Sequence, residues 1–110
     1  MNNAEILKLH EMLTEANIPH SFDNNFFENG TEAYILIIKR DGVYLCDAIY
    51  YRGSYGYNSG LLEIMGGLTL DEMKNDSVLG YLTAEEVFKR FKYCYENNTK
   101  IYDEVKDEDQ

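Results

Sequence analysis

The stretch from residue 34 to residue 51, "YILIIKRDGVYLCDAIYY", decides the fold of this chain. Two runs rich in β-branched and aromatic residues flank the dipeptide Asp41-Gly42, which tolerates the positive φ angles of a two-residue hairpin turn. The pattern therefore predicts an antiparallel hairpin. Counting outward from a two-residue turn places Arg40 opposite Val43 and Ile38 opposite Leu45.

The same register predicts which side chains share a face of the sheet. One face combines Leu36 with Asp47 and Tyr34 with Ile49. The other face carries a second set: Lys39, Ile37, Ile35 and Ala33 opposite Tyr44, Cys46, Ala48 and Tyr50. Because both faces are largely apolar, we expect both to be covered, by helices or by a second copy in a homodimer. Asp47 is the exception: it is either a residue of a solvated rim or a polar anchor in a cleft, where it needs a partner.

The flanking sequence predicts an α+β fold. Apolar residues at helical spacing predict a helix over residues 3–17, and Asn29-Gly30 predicts a second hairpin turn before the first. The stretch "LLEIMGG" fits either a short strand or one helical turn. Thr69 with Glu72 and Thr83 with Glu86 form two capping boxes, which predict a short helix and a long C-terminal helix. The expected layout is a helix, a meander of three or four antiparallel strands, and two helices.

Length and charge indicate one acidic domain. Residues 1–100 form the predicted domain, and residues 101–110, "IYDEVKDEDQ", form a predicted disordered acidic tail. The net charge of −10 disfavours direct binding to nucleic acid or to an anionic membrane and favours basic protein partners. No signal sequence or membrane-spanning run is visible, and two cysteines form no disulfide framework, so we expect a cytoplasmic protein.

The sequence contains no motif that predicts catalysis. His10, His20, Cys46 and Cys94 lack the paired spacing of metal ligands, so structural roles are expected and no metal or other cofactor. The glycines of "GSYGYNSG" match neither a nucleophile elbow nor a phosphate-binding loop. A non-enzymatic protein is therefore expected.

The segment from residue 50 to residue 60, "YYRGSYGYNSG", is the main candidate site. Three readings stay open: a turn whose tyrosines cover the sheet, a loop that contacts another protein, or a pocket that stacks a ring with Arg52 as anion partner. Tyrosine and arginine carry much of the binding energy at protein interfaces. The candidate binding residues are Tyr51, Arg52, Tyr55 and Tyr57, together with Asp47.

Two stretches resemble a group of small hypothetical proteins from phages and prophages of Gram-positive bacteria. They are "GSYGYNSGLLEIMGGLT" at residues 53–69 and "DSVLGYLTAEEVFKRFKYCYENN" at residues 76–98. The resemblance implies a phage context and no particular activity. Small acidic phage proteins of this kind are often antagonists of host machinery, and anti-CRISPR proteins are among them.

The sequence thus leads to one hypothesis and one alternative. The hypothesis is a phage-encoded binding protein that inhibits a basic host protein of defence or nucleic-acid processing, through its acidic surface and its tyrosine-rich loop. The alternative is a small-molecule binder that sequesters a nucleotide-like immune signal in a pocket near the same loop.

Overall fold

The computed structural model describes residues 3–26 and 32–103 and shows an α+β fold. Helix α1 (Ala4–Glu15) precedes strands β1 (Ser21–Phe26), β2 (Glu32–Arg40) and β3 (Val43–Tyr51). A 3₁₀ turn (Tyr57–Ser59) leads to β4 (Leu62–Met65), which is followed by helix α2 (Leu70–Met73), strand β5 (Val78–Leu82) and helix α3 (Ala84–Asn97). The predicted class and the order of the predicted elements are confirmed.

The five strands form one antiparallel meander in the order β1-β2-β3-β4-β5. This is one strand more than the upper prediction, because β5 is short and is interrupted by Gly80, which weakens a strand pattern. The ambiguous stretch "LLEIMGG" contains β4 and is therefore a strand. The predicted turn at Asn29-Gly30 lies outside the described residues.

The register of the central hairpin differs from the prediction by one residue. Arg40 pairs with Val43 as expected, but a β-bulge follows, so that Ile38 pairs with Cys46 and Tyr34 pairs with Tyr50. The predicted pairings of Leu36 with Asp47 and of Tyr34 with Ile49 are wrong. A bulge inserts one extra residue into one strand. Here the extra residue is Leu45, which is buried together with its neighbour Cys46.

The hydrophobic core lies between the sheet and the two long helices. The sheet contributes every second side chain along β2 and β3, and each of the two helices contributes one apolar stripe. The buried members of these elements are Ile6, Leu9 and Leu13 of α1, Tyr34, Leu36 and Ile38 of β2, Leu45, Cys46, Ala48 and Tyr50 of β3, and Ala84, Val87, Phe91 and Cys94 of α3. Both cysteines are free thiols.

Within the single chain, the second face of the sheet is only partly covered. Ile35, Ile37 and Ile49 are only half-buried, and they do not belong to the set of residues that pack against the core. The bulge is the reason that the faces differ. It brings Ala48 to the same side as Leu36, facing the two long helices, and places Ile49 and Asp47 with Ile35 and Ile37 on the other side.

Both predicted capping boxes are present. Thr69 accepts a hydrogen bond from the backbone N–H of Glu72, Thr83 accepts one from that of Glu86, and each glutamate accepts one in return. After α3 the chain continues in the fold: Tyr102 is buried and its N–H donates to the carbonyl of Leu68. The folded part therefore extends beyond residue 100, where the sequence placed its end. Residues 104–110 of the predicted tail lie outside the described residues.

Candidate functional site

The uncovered side of the sheet, here called the open face, is built from the strand residues that alternate with the core. Strand pairing aligns them in two rows across the sheet. The first row runs Asp23, Ile35, Ile49, Glu63, and the second runs Ser21, Ile37, Asp47, Met65, Val78. The centre of the open face is therefore apolar, with carboxylates within and beside it.

Negative charge lies within the two rows of the open face, and positive charge lies only at its margins. Three carboxylates, Asp23, Asp47 and Glu63, lie in its two rows, and Lys39 lies at one end of β2. This imbalance follows the net charge of the whole chain. A half-apolar surface with an excess of carboxylates is complementary to a partner that combines apolar and basic side chains.

Asp47 lies near the centre of the open face and is half-buried. Its Oδ2 accepts a hydrogen bond of 2.7 Å from the phenol of Tyr44. The bulge makes this bond possible, since the extra residue between them turns both side chains to the same face. Burial raises the pKa of Asp47 above its usual value and the nearby Glu63 raises it further, while the Tyr44 hydrogen bond acts in the opposite direction. Ionisation of Asp47 therefore lowers the stability of the folded chain.

A cavity of about 260 Å³ adjoins Asp47 at the end of the open face. Its lining is mostly apolar: Tyr44, Met65, Gly66, Leu68, Met73, Ser77 and Lys100. The phenol of Tyr44 also lies 3.2 Å from the carbonyl of Met65, and the ammonium of Lys100 lies 5.7 Å from the centre of the Tyr44 ring. Tyr44 thus connects the cavity to Asp47.

The walls of the cavity are fixed by two local features. Gly66 crosses directly over β3, and a Cβ at this position would lie 2.4 Å from the carbonyl oxygen of Leu45, so no other residue fits without a backbone shift. On the other side, α2 is tied to α3 by Arg90, whose guanidinium donates two hydrogen bonds to Glu72, of 2.7 and 2.9 Å, and one of 3.0 Å to the carbonyl of Gly67. Only 12% of the Arg90 side chain is exposed.

The tyrosine-rich loop lies at the opposite end of the open face from the cavity. Tyr51 pairs with Ala33 and so belongs to the open face, and Arg52 is exposed in the following turn. The backbone N–H of Tyr55 donates to Glu63 at 2.8 Å, which holds the loop against β4, and 53% of Tyr55 remains exposed. Three of the four predicted loop residues therefore lie on the open face or beside it.

Tyr57 is the predicted loop residue that lies neither on the open face nor beside it. Its ring packs against the buried ring of Tyr50, with 4.9 Å between the centroids, and it belongs to the layer around the core. For this tyrosine the packing reading is correct. The loop as a whole combines two roles, because Tyr57 closes the core while Tyr55 extends into solvent.

Tyr81 is a candidate that the sequence pattern does not reveal. It is 63% exposed and has a φ angle of 62°, which is unusual for a bulky residue and marks local strain. Its backbone N–H lies 3.4 Å from the carbonyl of Tyr55. The neighbouring Gly80 is required for this arrangement, since a Cβ there would lie 2.2 Å from the Cβ of Tyr55. Two exposed tyrosines thus lie side by side at the β5 edge.

Glu63, Met65, Met73 and Tyr44 are further site residues that sequence reasoning missed. Glu63 and Met65 stand in a stretch that could be read as strand or helix, so their faces were undefined. Met73 joins the site only because α2 folds back toward β4. The one available signal was the alternation of "LEIM", which becomes informative once β4 is paired with β3.

The two histidines form one structural pair, and the two cysteines form another. His20 Nδ1 lies 2.8 Å from the carbonyl of Ile18, and its Nε2 lies 2.8 Å from Nδ1 of His10, whose ring stacks on Phe22. Burial and the neighbouring His20 lower the pKa of His10. Within residues 3–26 and 32–103 there is no group of three potential metal ligands.

No protein-family model matches this chain, and no curated protein or solved structure is significantly similar to it. Across the described ranges, none of the helices has the length and apolar character required to cross a lipid bilayer. The open face and its two ends are accordingly the features from which a function can be argued.

Proposed function

We propose that this protein is a non-enzymatic binding protein whose open face binds a basic host protein. Together with the resemblance to phage and prophage proteins, this makes it an inhibitor of a defence or nucleic-acid-processing protein, of the anti-CRISPR type, acting in the cytoplasm of a bacterial host. The single observation that carries the proposal is Asp47, a half-buried carboxylate in the middle of an uncovered apolar sheet face.

The environment of Asp47 favours a basic partner. The carboxylate accepts one hydrogen bond from Tyr44, and its pKa is raised by burial, so its charge is poorly compensated in the single chain. Perturbed pKa values of this kind are concentrated at functional sites. A lysine or arginine from a partner would supply the missing counter-charge, and the apolar residues around Asp47 would exclude water from the pair.

The exposed tyrosines supply the second part of the contact. Tyr55 and Tyr81 lie at the end of the open face beside Glu63, more than half exposed. Aromatic residues of this kind bury a large area while losing few rotamers. Arg52 and Tyr51 continue the same rim.

The protein would inhibit its partner because the partner surface that fits the open face must be basic. A basic groove that binds DNA or RNA is complementary to the open face, so occupation by this protein would exclude the nucleic acid. The protein itself would bind no nucleic acid. Association of this kind becomes weaker as salt screens the charges.

Affinity capture tests the proposal. The wild-type protein is immobilised, incubated with lysate of a Gram-positive host in 50 mM NaCl and washed at rising salt, in parallel with Asp47→Asn and with Glu15→Gln. Glu15 is an exposed carboxylate of α1, on the helix side. We expect a basic protein that is retained by the wild type and by Glu15→Gln but lost from Asp47→Asn. Retention of no protein, or equal retention by all three, would contradict the proposal.

The nucleotide-sequestering alternative is tested by thermal shift against a panel of nucleotides. The cavity next to Tyr44 is lined mostly by apolar groups, with Lys100 as the one cation among its lining residues, and none of these residues belongs to the tyrosine-rich loop. A ligand at 100 times its Kd adds about 2.7 kcal/mol of stability. A stabilisation of that size by one nucleotide would favour the alternative over protein binding.

A further inference from the structure

We propose that the partner is recognised through two neighbouring side chains: an apolar side chain that fills the cavity beside Tyr44, and a basic side chain that pairs with Asp47. This inference rests on the proposed function, which it makes more specific. It predicts the local chemistry of the partner surface, namely a large apolar residue next to an arginine or lysine.

The two subsites are adjacent because they share Tyr44 and Met65. The ring of Tyr44 lines the cavity, while its hydroxyl donates to Asp47 at 2.7 Å. Met65 also lines the cavity and is the strand partner of Asp47 in the β3–β4 pairing. Directly paired residues have Cβ atoms about 4.5–5.5 Å apart, so neighbouring side chains of one partner segment can reach both subsites.

The size and lining of the cavity favour a side chain as occupant. Pockets for small molecules usually measure about 300–1,000 Å³, and this cavity has about 260 Å³. Met65 and Met73 are 45% and 48% exposed at its walls. Methionine is unbranched and adaptable, and it is frequent at surfaces that accept apolar side chains of variable shape.

Charge determines which part of the partner enters which subsite. The ammonium of Lys100 lies over the Tyr44 ring at the cavity, so a cation is disfavoured there and an apolar group is favoured. At Asp47, in contrast, a cation is favoured over an apolar group. A second copy of this chain is a poor occupant, because its own Asp23, Asp47 and Glu63 would meet the same carboxylates.

Methionine-methyl NMR tests the two subsites without the natural partner. The chain has four methionines, and Met12, half-buried on α1, serves as the internal control. The probes are the capped peptides Gly-Phe-Arg-Gly, Gly-Ala-Arg-Gly and Gly-Phe-Glu-Gly. We expect Gly-Phe-Arg-Gly to shift the methyl signals of Met65 and Met73 but not that of Met12. The other two peptides should bind at least fivefold more weakly. Equal shifts with all three peptides, or none at Met65 and Met73, would overturn the inference.

Two lysine substitutions on α2 separate this inference from the proposed function. Met73→Lys places a charge in the cavity wall, whereas Leu70→Lys places the same charge at a residue that is 63% exposed and does not line the cavity. In the capture experiment we expect at least tenfold weaker retention of the partner with Met73→Lys and unchanged retention with Leu70→Lys. If Asp47→Asn abolishes retention but Met73→Lys does not, the proposed function stands and the cavity subsite is refuted. If wild type retains no protein, the proposed function fails, and the peptide titration still decides on the subsites.

Discussion

A single extra residue in β3 determines the chemistry of the candidate site. Without the bulge at Leu45, Tyr44 and Asp47 would point to opposite faces of the sheet. With the bulge they share the open face, and the phenol stabilises a carboxylate that burial destabilises. The site thus combines a carboxylate whose charged form is destabilised by burial with an exposed apolar surface. This combination is expected where a partner binds.

Replacement of Asp47 by asparagine should stabilise the isolated protein at neutral pH. Asparagine retains an acceptor for Tyr44 and removes a half-buried charge, so we expect an increase in the free energy of unfolding of roughly 1 kcal/mol, the usual scale of single substitutions. The measurement is urea unfolding at pH 7. A destabilised variant would mean that the charge of Asp47 is compensated within the fold.

The same variant gives a pH test with a defined sign. Because the folded-state pKa of Asp47 is raised, its protonated form favours folding, and this contribution is lost as pH rises through that pKa. Wild type and Asp47→Asn should therefore have similar stability near pH 3.5 and differ increasingly toward pH 7. Curves that diverge at acidic pH instead would refute this assignment.

The pair of His10 and His20 predicts the opposite dependence. His20 Nδ1 bonds to the carbonyl of Ile18, which requires a proton on that nitrogen, so Nε2 is the acceptor and His10 Nδ1 is the donor. The lowered pKa of His10 means that its neutral form favours folding, and this contribution is lost as pH falls from 6.5 through the folded-state pKa.

His10→Gln should remove much of this dependence, since glutamine can donate to His20 and does not titrate. Between pH 7.5 and pH 5 we expect wild type to lose more stability than the variant, because burial and the neighbouring His20 disfavour the protonated imidazole of His10. Urea midpoints at both pH values provide the measurement. Parallel losses in the two proteins would show that other groups dominate in this range.

At the scale of elements, the short helix α2 depends on one ion pair for its position. Four residues form too little helix to be stable alone, but the capping box at Thr69 and the paired bonds from Arg90 to Glu72 fix α2 beside α3. Arg90 also lowers the pKa of Glu72. The cavity wall at Met73 depends on this arrangement.

Glu72→Ala should therefore destabilise the fold by about 2–4 kcal/mol, because it removes two charge-assisted hydrogen bonds of the buried guanidinium of Arg90. The double variant Glu72→Ala/Arg90→Met should recover part of the loss, since the buried guanidinium is removed as well. Asp71→Ala is the matched control: its pairing with Lys74 is exposed, and such pairs contribute about 0–1 kcal/mol. Urea unfolding of wild type and the three variants measures these losses, and equal losses for Glu72→Ala and Asp71→Ala would contradict the assigned role.

At the scale of the whole molecule, a two-layer fold leaves one sheet face largely exposed in the single chain, and we expect negative charge to oppose self-association through that face. The apolar rows of the open face are of the kind that normally packs against another layer. Asp23, Asp47 and Glu63 oppose contact between two copies, in line with the net charge of −10. The basic partner that we propose would replace the missing layer.

Neutralisation of the open face should therefore promote self-association. We expect the triple variant Asp23→Asn/Asp47→Asn/Glu63→Gln to form dimers or larger species at 0.15 M NaCl, while wild type stays monomeric. Glu11→Gln/Glu15→Gln/Glu96→Gln changes the net charge equally at exposed residues outside the open face and should also stay monomeric. Light scattering coupled to size-exclusion chromatography measures the masses, and a wild-type dimer would show that a second copy covers the face.

Local sequence signals determined most of the elements. The Asp41-Gly42 turn, the β-rich runs beside it and the two capping boxes each depend on neighbouring residues, and each is present in the structure. Asp47, Tyr51, Arg52 and Tyr55, which the sequence offers as binding residues, lie on the open face or beside it, and their role in binding stays a prediction. Tyr57 instead packs against Tyr50, a contact that forms only after the chain folds back.

Only the tertiary structure decided where the site lies and what it contains. One inserted residue exchanges the side chains on the two faces of a strand. The local sequence pattern of residues 43–51 does not predict this bulge. The bulge forms because both Leu45 and Cys46 pack into the core. The cavity likewise joins residues from β3, β4, α2 and the segment after α3. The sequence by itself determined the elements and the charge, since these are local or summed properties. The uncovered face and the pairing of Tyr44 with Asp47 come from long-range packing.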